Sequence, residues 1–288
     1  MIILQGARER VEHLQFSPDG RTLLAPCRDG VQVWHNVIAG GRPSTTLDYP
    51  SVSRVCFTPD GSKVLLDASA TRVVIHNLAT GKAVEVPLEF AQGGGKCDLT
   101  PDGRYVVVAR TYNGADPPGR LSCRPIRSPE KTLWSVTTSS WIFSWPLFRA
   151  GGKRFAVFEV RRDTPPFWYV TRDARTGQVL TQVGVSGHRF ESGHQFASPV
   201  LSADRKLITV LRNIWLGVFR ADDFAAPPVV IRNDSLKGFT GQAFHPSGRF
   251  LAATSNDTRV KLYDTATWKL TQAFDWKIGR LCAAQQLG

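Results

Sequence analysis

Short apolar runs separated by turn residues recur along the whole chain, and no segment keeps a helical period over a useful length. Val52-Ser-Arg-Val-Cys-Phe57 precedes Thr58-Pro-Asp-Gly61, and Lys63-Val-Leu-Leu66 follows it. Farther on, Thr240-Gly-Gln-Ala-Phe244 and Arg249-Phe-Leu-Ala-Ala253 flank His245-Pro-Ser-Gly248. Runs this short, rich in β-branched and aromatic residues and bounded by Pro, Asp and Gly, predict strands joined by tight turns. Proline pre-sets φ in such a turn, and glycine is free to take φ > 0.

The turn is one of six copies: Phe16-Ser-Pro-Asp-Gly20, Phe57-Thr-Pro-Asp-Gly61, Leu99-Thr-Pro-Asp-Gly103, Phe148-Arg-Ala-Gly-Gly152, Leu201-Ser-Ala-Asp-Arg205 and Phe244-His-Pro-Ser-Gly248. Their third positions are spaced by 41, 42, 49, 53 and 43 residues. After each turn a third run follows, as in Val31-Gln-Val-Trp34, Val73-Val-Ile-His76, Phe167-Trp-Tyr-Val-Thr171, Trp215-Leu-Gly-Val-Phe219 and Val260-Lys-Leu-Tyr263. A fourth closes the unit, as in Ser44–Leu47, Lys131–Trp134, Gln178–Leu180, Val229–Ile231 and Leu270–Phe274. Four strands about every 40 residues describe the blade of a β-propeller. The fold class expected is therefore all-β, a propeller of four-stranded antiparallel blades, with repeats near 11–49, 52–90, 96–137, 141–183, 198–234 and 240–276 in one domain, 1–288.

Between third and fourth strands a second turn recurs: Asn77-Leu-Ala-Thr-Gly-Lys82, Asp173-Ala-Arg-Thr-Gly-Gln178 and Asp264-Thr-Ala-Thr-Trp-Lys269. With both turns in place, the chain resembles the WD40 repeat family, in a divergent, bacterial type. The family's Trp-Asp signature is degenerate here, reading Trp34-His35, His76-Asn77, Arg172-Asp173, Phe219-Arg220 and Tyr263-Asp264, and its Gly-His element has no regular counterpart. The departure implies blades held by sheet pairing and apolar packing more than by the family's Asp-His-Ser-Trp network.

Closure of the ring sets the blade count. In WD40-like propellers the N-terminal segment supplies the outer strand of the last blade, and residues 1–7 stand about ten residues ahead of the first turn proline, where Ser44–Tyr49 stands before the second. The sixth repeat already has its own outer strand, so residues 1–7 are assigned to a seventh blade whose inner strand begins at residue 278. A seventh turn falls due near residue 288. The expectation is a seven-blade plan with an incomplete seventh blade, residues 278–288 starting the truncated repeat; the alternative is a six-bladed ring with a tail.

Charge alters this picture little. The chain has 36 Lys and Arg against 24 Asp and Glu, a net +12. Of the 36, 26 are Arg and 10 are Lys, scattered without a basic run, a skew that a GC-rich genome produces at tolerant surface positions. A weak attraction for polyanions follows, and no specific nucleic acid. Five cysteines without a C-x-x-C pair indicate neither a zinc knuckle nor a disulfide framework, and buried thiols in a reducing compartment are expected. No signal peptide and no membrane span is expected, and the chain is placed in the cytoplasm as a monomer.

Candidate chemistry is thin. His188 and His194 with Glu191 fall short of a ligand set for a first-row metal, so no metal, cofactor or catalytic residue is assigned. The long spacings instead locate three expanded connections: residues 111–120 and 161–166 between second and third strands, and 183–198 between a fourth strand and the next first strand. In a propeller both connection types emerge on the face opposite the Pro-Asp-Gly turns. Loops on a rigid scaffold carry recognition, and Arg with aromatic residues anchors interfaces. The expected site is a protein or peptide partner surface around Tyr112, Arg120, Arg161, Arg162, Phe167, His188, Arg189 and His194. The segment Trp141-Ile-Phe-Ser-Trp-Pro-Leu-Phe148 is read as the inner strand of blade four, given to core packing. The function expected is a non-catalytic protein-interaction scaffold. Two alternatives stand beside it: an enzyme or enzyme-associated module of the lactonase-like or peptidase-associated kind, whose propellers share these turns, and a weak polyanion binder.

Overall fold

The structure, a computed structural model, describes residues 15–27, 30–36, 44–50, 52, 54–67, 73–87, 95–110, 119–142, 144–161, 167–185, 197–202, 204–245 and 247–275. They form six antiparallel sheets, each from consecutive strands. The first pairs β1(Gln15–Phe16), β2(Thr22–Cys27), β3(Gly30–His35) and β4(Thr45–Leu47) in order. The second is β5(Arg54–Phe57), β6(Lys63–Asp67), β7(Val73–Asn77) and β8(Ala83–Val86). In the third, β9(Gly95–Leu99), β10(Tyr105–Arg110), β11(Arg120–Pro125) and β12(Trp134–Thr137) follow the same path. The fourth has its inner strand in two pieces, β13(Trp141–Ile142) and β14(Leu147–Phe148), both paired to β15(Arg154–Val160), with β16(Phe167–Asp173) and β17(Val179–Gly184) outside. The fifth comprises β18(Ala197–Leu201), β19(Leu207–Arg212), β20(Trp215–Arg220) and β21(Val229–Arg232), and the sixth β22(Phe239–Phe244), β23(Phe250–Ser255), β24(Arg259–Asp264) and β25(Leu270–Asp275).

Six sheets replace the seven-blade plan and match its six-bladed alternative. Each of the six copies supplies all four of its own strands, including the outer strand β25 of the last, so among the described residues none remains for a seventh sheet. Residues 1–7 and 278–288, which that plan assigned to the extra blade, lie outside the described residues.

The strand sequences follow from burial on one or both faces. Second and third strands are covered on both, so they read as unbroken apolar runs rather than alternating ones. In β6, Val64 and Leu66 join a core with Leu24, Val31 and Val33 of the first sheet, whereas Leu65 faces the other way into a core with Cys97, Leu99, Val106 and Val108 of the third. The outer strands lie at the rim, and every residue of β25 is exposed. Among the described cysteines, Cys27, Cys97 and Cys123 are buried free thiols. Burial pushes the Cys123 thiol up to about 12, which makes it inert near neutral pH.

The first turn of each sheet has a fixed chemistry. In the second copy Thr58 Oγ1 donates to Asp60 Oδ1 at 2.6 Å, and the same carboxylate oxygen accepts the Ser62 amide at 3.0 Å. Ser17 with Asp19, Thr100 with Asp102 and Ser202 with Asp204 repeat the bond. In the sixth copy His245 and Ser247 take these places, with Nδ1 and Oγ 2.8 Å apart. Glycine ends the turn for two reasons. Gly103 has φ +66, and a Cβ there would stand 2.6 Å from Pro59 Cδ of the preceding turn.

The chain divides into two compact units, one holding the described residues of 1–160 and 171–180, the other those of 161–170 and 181–287. The first contains the cores of sheets one to three. In the second, Leu211, Leu216 and Val218 of the fifth sheet pack with Phe239, Phe244, Leu251 and Tyr263 of the sixth.

Candidate partner-binding site

The expanded connection 161–166 joins β15 to β16, and the residues on either side of it form a defined cluster in the second unit. Strand pleating decides who takes part. Phe167 is 8% exposed and Tyr169 2%, so both point into packing, while Trp168 between them faces the other side and remains half-buried. Arg161 brings its guanidinium carbon 4.4 Å from the centre of the Trp168 ring. Its Nη2 also donates to Gln182 Oε1 of β17 at 2.9 Å. One face of the guanidinium is thus turned to an indole and one edge is tied to an amide. A cation over tryptophan contributes about 0.5–1 kcal/mol at an exposed site, enough to favour one arrangement of a flexible side chain.

Of the eight residues expected at the surface, Arg120, Arg161 and Phe167 are described. Tyr112, Arg162, His188, Arg189 and His194 lie outside the described residues, as does Glu191. Arg161 directly follows β15 and is half-buried. Phe167 does not offer its ring to the surface, because it stands on the inward parity of β16. Arg120 opens β11 opposite Thr137 of β12, half-buried. Sequence reasoning missed Trp168 and Gln182. The available signal was the alternation itself: if Phe167 and Tyr169 share one face of β16, Trp168 takes the other.

A second aromatic–cation cluster lies in the first unit, where inner strands begin. Lys96 Nζ is 4.1 Å and the Arg54 guanidinium carbon 5.1 Å from the Trp145 ring centre. Burial lowers Lys96 to about 8, against the opposing pull of Asp67. The segment Trp141–Phe148, expected as one core strand, is broken at Trp145 and Pro146: Ile142, Leu147 and Phe148 are buried and Trp145 is half-exposed under the two cations. Between the first turns of sheets two and three is a cleft of about 550 Å³, rimmed by Lys63, Arg104 and Arg127. The carboxylates on its walls, Asp60 and Asp102, are engaged in the turns themselves.

Polar networks occupy the places of the degenerate Trp-Asp motifs. Arg172 Nη2 donates to Glu159 Oε1 at 2.9 Å, Ser140 Oγ donates to the other oxygen of Glu159, and Arg172 Nη1 reaches Gly177 O at 3.0 Å. Arg124 Nη1 donates to Pro129 O at 3.0 Å. Tyr49 Oη and His76 Nδ1 are 3.2 Å apart. In the sixth sheet the fully buried Lys261 ammonium donates to Asn233, Asp234 and Asp257. Beside the sheet pairing and apolar packing that the sequence predicts, buried polar anchors are present, built from Arg, Lys and Glu. Among the described residues no group of three His, Cys, Asp or Glu side chains is arranged to hold a metal ion, and no helix is long and apolar enough to cross a membrane.

Comparison with known proteins bears on the fold. The family model of the WD domain, G-beta repeat (WD40), matches residues 234–264, the stretch that holds Asp234, Asp257 and Lys261. Among solved structures, the chain is similar to the Cps50 (Swd1) β-propeller domain of Myceliophteria thermophila, with a TM-score of 0.73 at 13% identity, covering 96% of this chain and 90% of that one. No curated protein matches the chain. Matches extend to 1691 solved chains, as befits a fold that hosts many functions. The chain folds as a WD40-type β-propeller, and the model of the WD40 repeat matches it at residues 234–264.

Proposed function

We propose that the protein is a non-catalytic scaffold that docks a protein partner at the residues flanking the connection 161–166. WD40 propellers generally serve as protein-interaction platforms, and the single observation that carries the reading here is the Arg161–Trp168–Gln182 cluster. Arg and Trp are the residue types that dominate interface energetics when held in place. A guanidinium already constrained by a ring and an amide loses less freedom on binding than a free one.

The test is affinity capture with the full chain, followed by titration of the retained protein as a purified component. Arg161→Ala and Trp168→Ala should each weaken that titration about tenfold or more. Lys206→Ala, in the first turn at the other end of its sheet in the same unit, should leave it unchanged. Circular dichroism melting checks that the variants are folded. Equal affinity of wild type and both cluster variants contradicts the proposal.

A further inference from the structure

We propose that Leu236 is a docking knob: an exposed apolar side chain, held rigid in the connection between β21 and β22, that inserts into an apolar socket rimmed by carboxylates on a protein partner. The inference rests on the scaffold reading and deepens it by giving the partner's surface a chemistry.

The backbone at Leu236 is the first observation. Six non-glycine residues among the described ones have φ between +47 and +65, where an L side chain crowds its own main chain. Asn36 and Asn213 are of the residue type that tolerates this region. Trp268 packs against the core of the fifth and sixth sheets. Leu236, at φ +58, has neither compensation: it is 56% exposed, more than any other large apolar side chain among the described residues. A bulky residue in left-handed backbone with its side chain in water serves the fold less well than glycine or asparagine would. Strain of this kind is kept where it is part of a function.

The second observation is how firmly the turn is held. Asn233 is fully buried; its N–H donates to Ile214 O at 2.8 Å, its Nδ2 to Lys237 O at 2.6 Å, and its carbonyl accepts the Leu236 N–H at 3.1 Å. The buried Lys261 ammonium donates to the side chains of Asn233 and Asp234. Leu236 is thus presented on a pre-organised turn, and docking it orders little that is not already ordered.

Charge selects the partner. Arg232 and Lys237, both exposed, flank the turn, and the one carboxylate between them, Asp234, is held by Lys261. An apolar tip between two cations fits a socket with an acidic rim. A bilayer is a poorer match, because its hold scales with buried apolar area and one leucine offers little. A second copy is poorer still: the cleft of about 550 Å³ in the first unit is rimmed by Lys63, Arg104 and Arg127, and each copy carries +12.

The test places a diazirine analogue of leucine at Leu236 and, as the control, at Leu270, which is exposed on β25 of the same unit. After irradiation in the native cell, the first position should give a discrete protein adduct whose cross-linked peptide carries apolar residues beside Asp or Glu, and the second should not. Titrated against that protein in purified form, Leu236→Gly and Leu236→Asn should each bind about tenfold more weakly or worse, and Lys237→Glu should weaken binding as well. The same two Leu236 variants should melt about 2–4 °C higher than wild type, since the strain is gone. Wild-type affinity in both variants, no rise in either melting temperature, an equal adduct at Leu270, or a cross-linked site lined by Lys and Arg overturns the inference. So does Leu236-dependent sedimentation with phosphatidylserine–phosphatidylcholine vesicles without a protein adduct, or an adduct to a second copy of this chain. Failure here with Arg161-dependent capture intact removes the knob and leaves the scaffold reading standing; loss of both removes both.

Discussion

Arg172 donates to Glu159 at 2.9 Å with the two side chains 7% and 2% exposed. Ser140 completes the carboxylate and the Gly177 carbonyl takes a second guanidinium N–H. Charges taken this far from water persist only when each is matched, and removing one leaves the other uncompensated. Glu159→Ala should therefore cost about 3–5 kcal/mol in urea unfolding, whereas Glu159→Leu combined with Arg172→Met should cost less than Glu159→Ala alone. A double variant that costs the sum of its two single changes contradicts the pairing.

Acid should reveal the second network. Burial raises the Asp257 carboxyl, but hydrogen bonds from Lys261, Ser235, Ser255 and the Arg259 amide outweigh it and hold the group well below its ordinary value of 3.8. A folded pKa below the unfolded one gives stability that is complete above the unfolded value and is lost as pH falls through the folded value. The urea midpoint of wild type should exceed that of Asp257→Asn near neutral pH, and the gap should narrow below about pH 4. A gap that stays constant into acid contradicts the assignment.

Two glycines in the same recurrent turn should respond differently to alanine. Gly81 has φ +67 with no heavy atom within 4 Å of a Cβ, whereas at Gly177, φ +73, a Cβ would stand 2.6 Å from Trp134 Cε3. That ring cannot withdraw cheaply, because its Nε1 donates to Ala174 O at 3.1 Å and it stacks on Phe155. Gly81→Ala should cost about 1–2 kcal/mol for the left-handed backbone alone. Gly177→Ala should cost that plus about 1–3 kcal/mol for overpacking. Equal thermal shifts in the two variants contradict this account of the turn.

Much of the architecture could be read from local chemistry. Turns with Pro, Asp and Gly announce themselves because their residue types answer to backbone angles, and doubly covered strands announce themselves as unbroken apolar runs. What escaped depends on partners distant in sequence. The fourth strand of the third sheet was expected at Lys131–Trp134 and runs Trp134–Thr137, because Arg124 takes the carbonyls of Pro129 and Glu130 and holds the intervening residues in turns. The inner strand of the fourth sheet breaks where Ser144 Oγ, rather than a carbonyl, accepts the Phe158 amide at 2.8 Å. At the site, the error was one of parity. Phe167 and Trp168 are both large aromatics, and the pleat alone puts the second on the face that Arg161 covers.

Photo-crosslinking tests the central claim most directly. With a benzophenone amino acid at Leu180, exposed on β17 two residues before Gln182, and separately at Lys206 as the control, irradiation in the native cell should join a discrete protein to the first and not to the second. The Leu180 adduct should be lost when Arg161→Ala is added. An adduct of equal yield at Lys206, or one at Leu180 indifferent to Arg161, contradicts a partner surface built on this cluster.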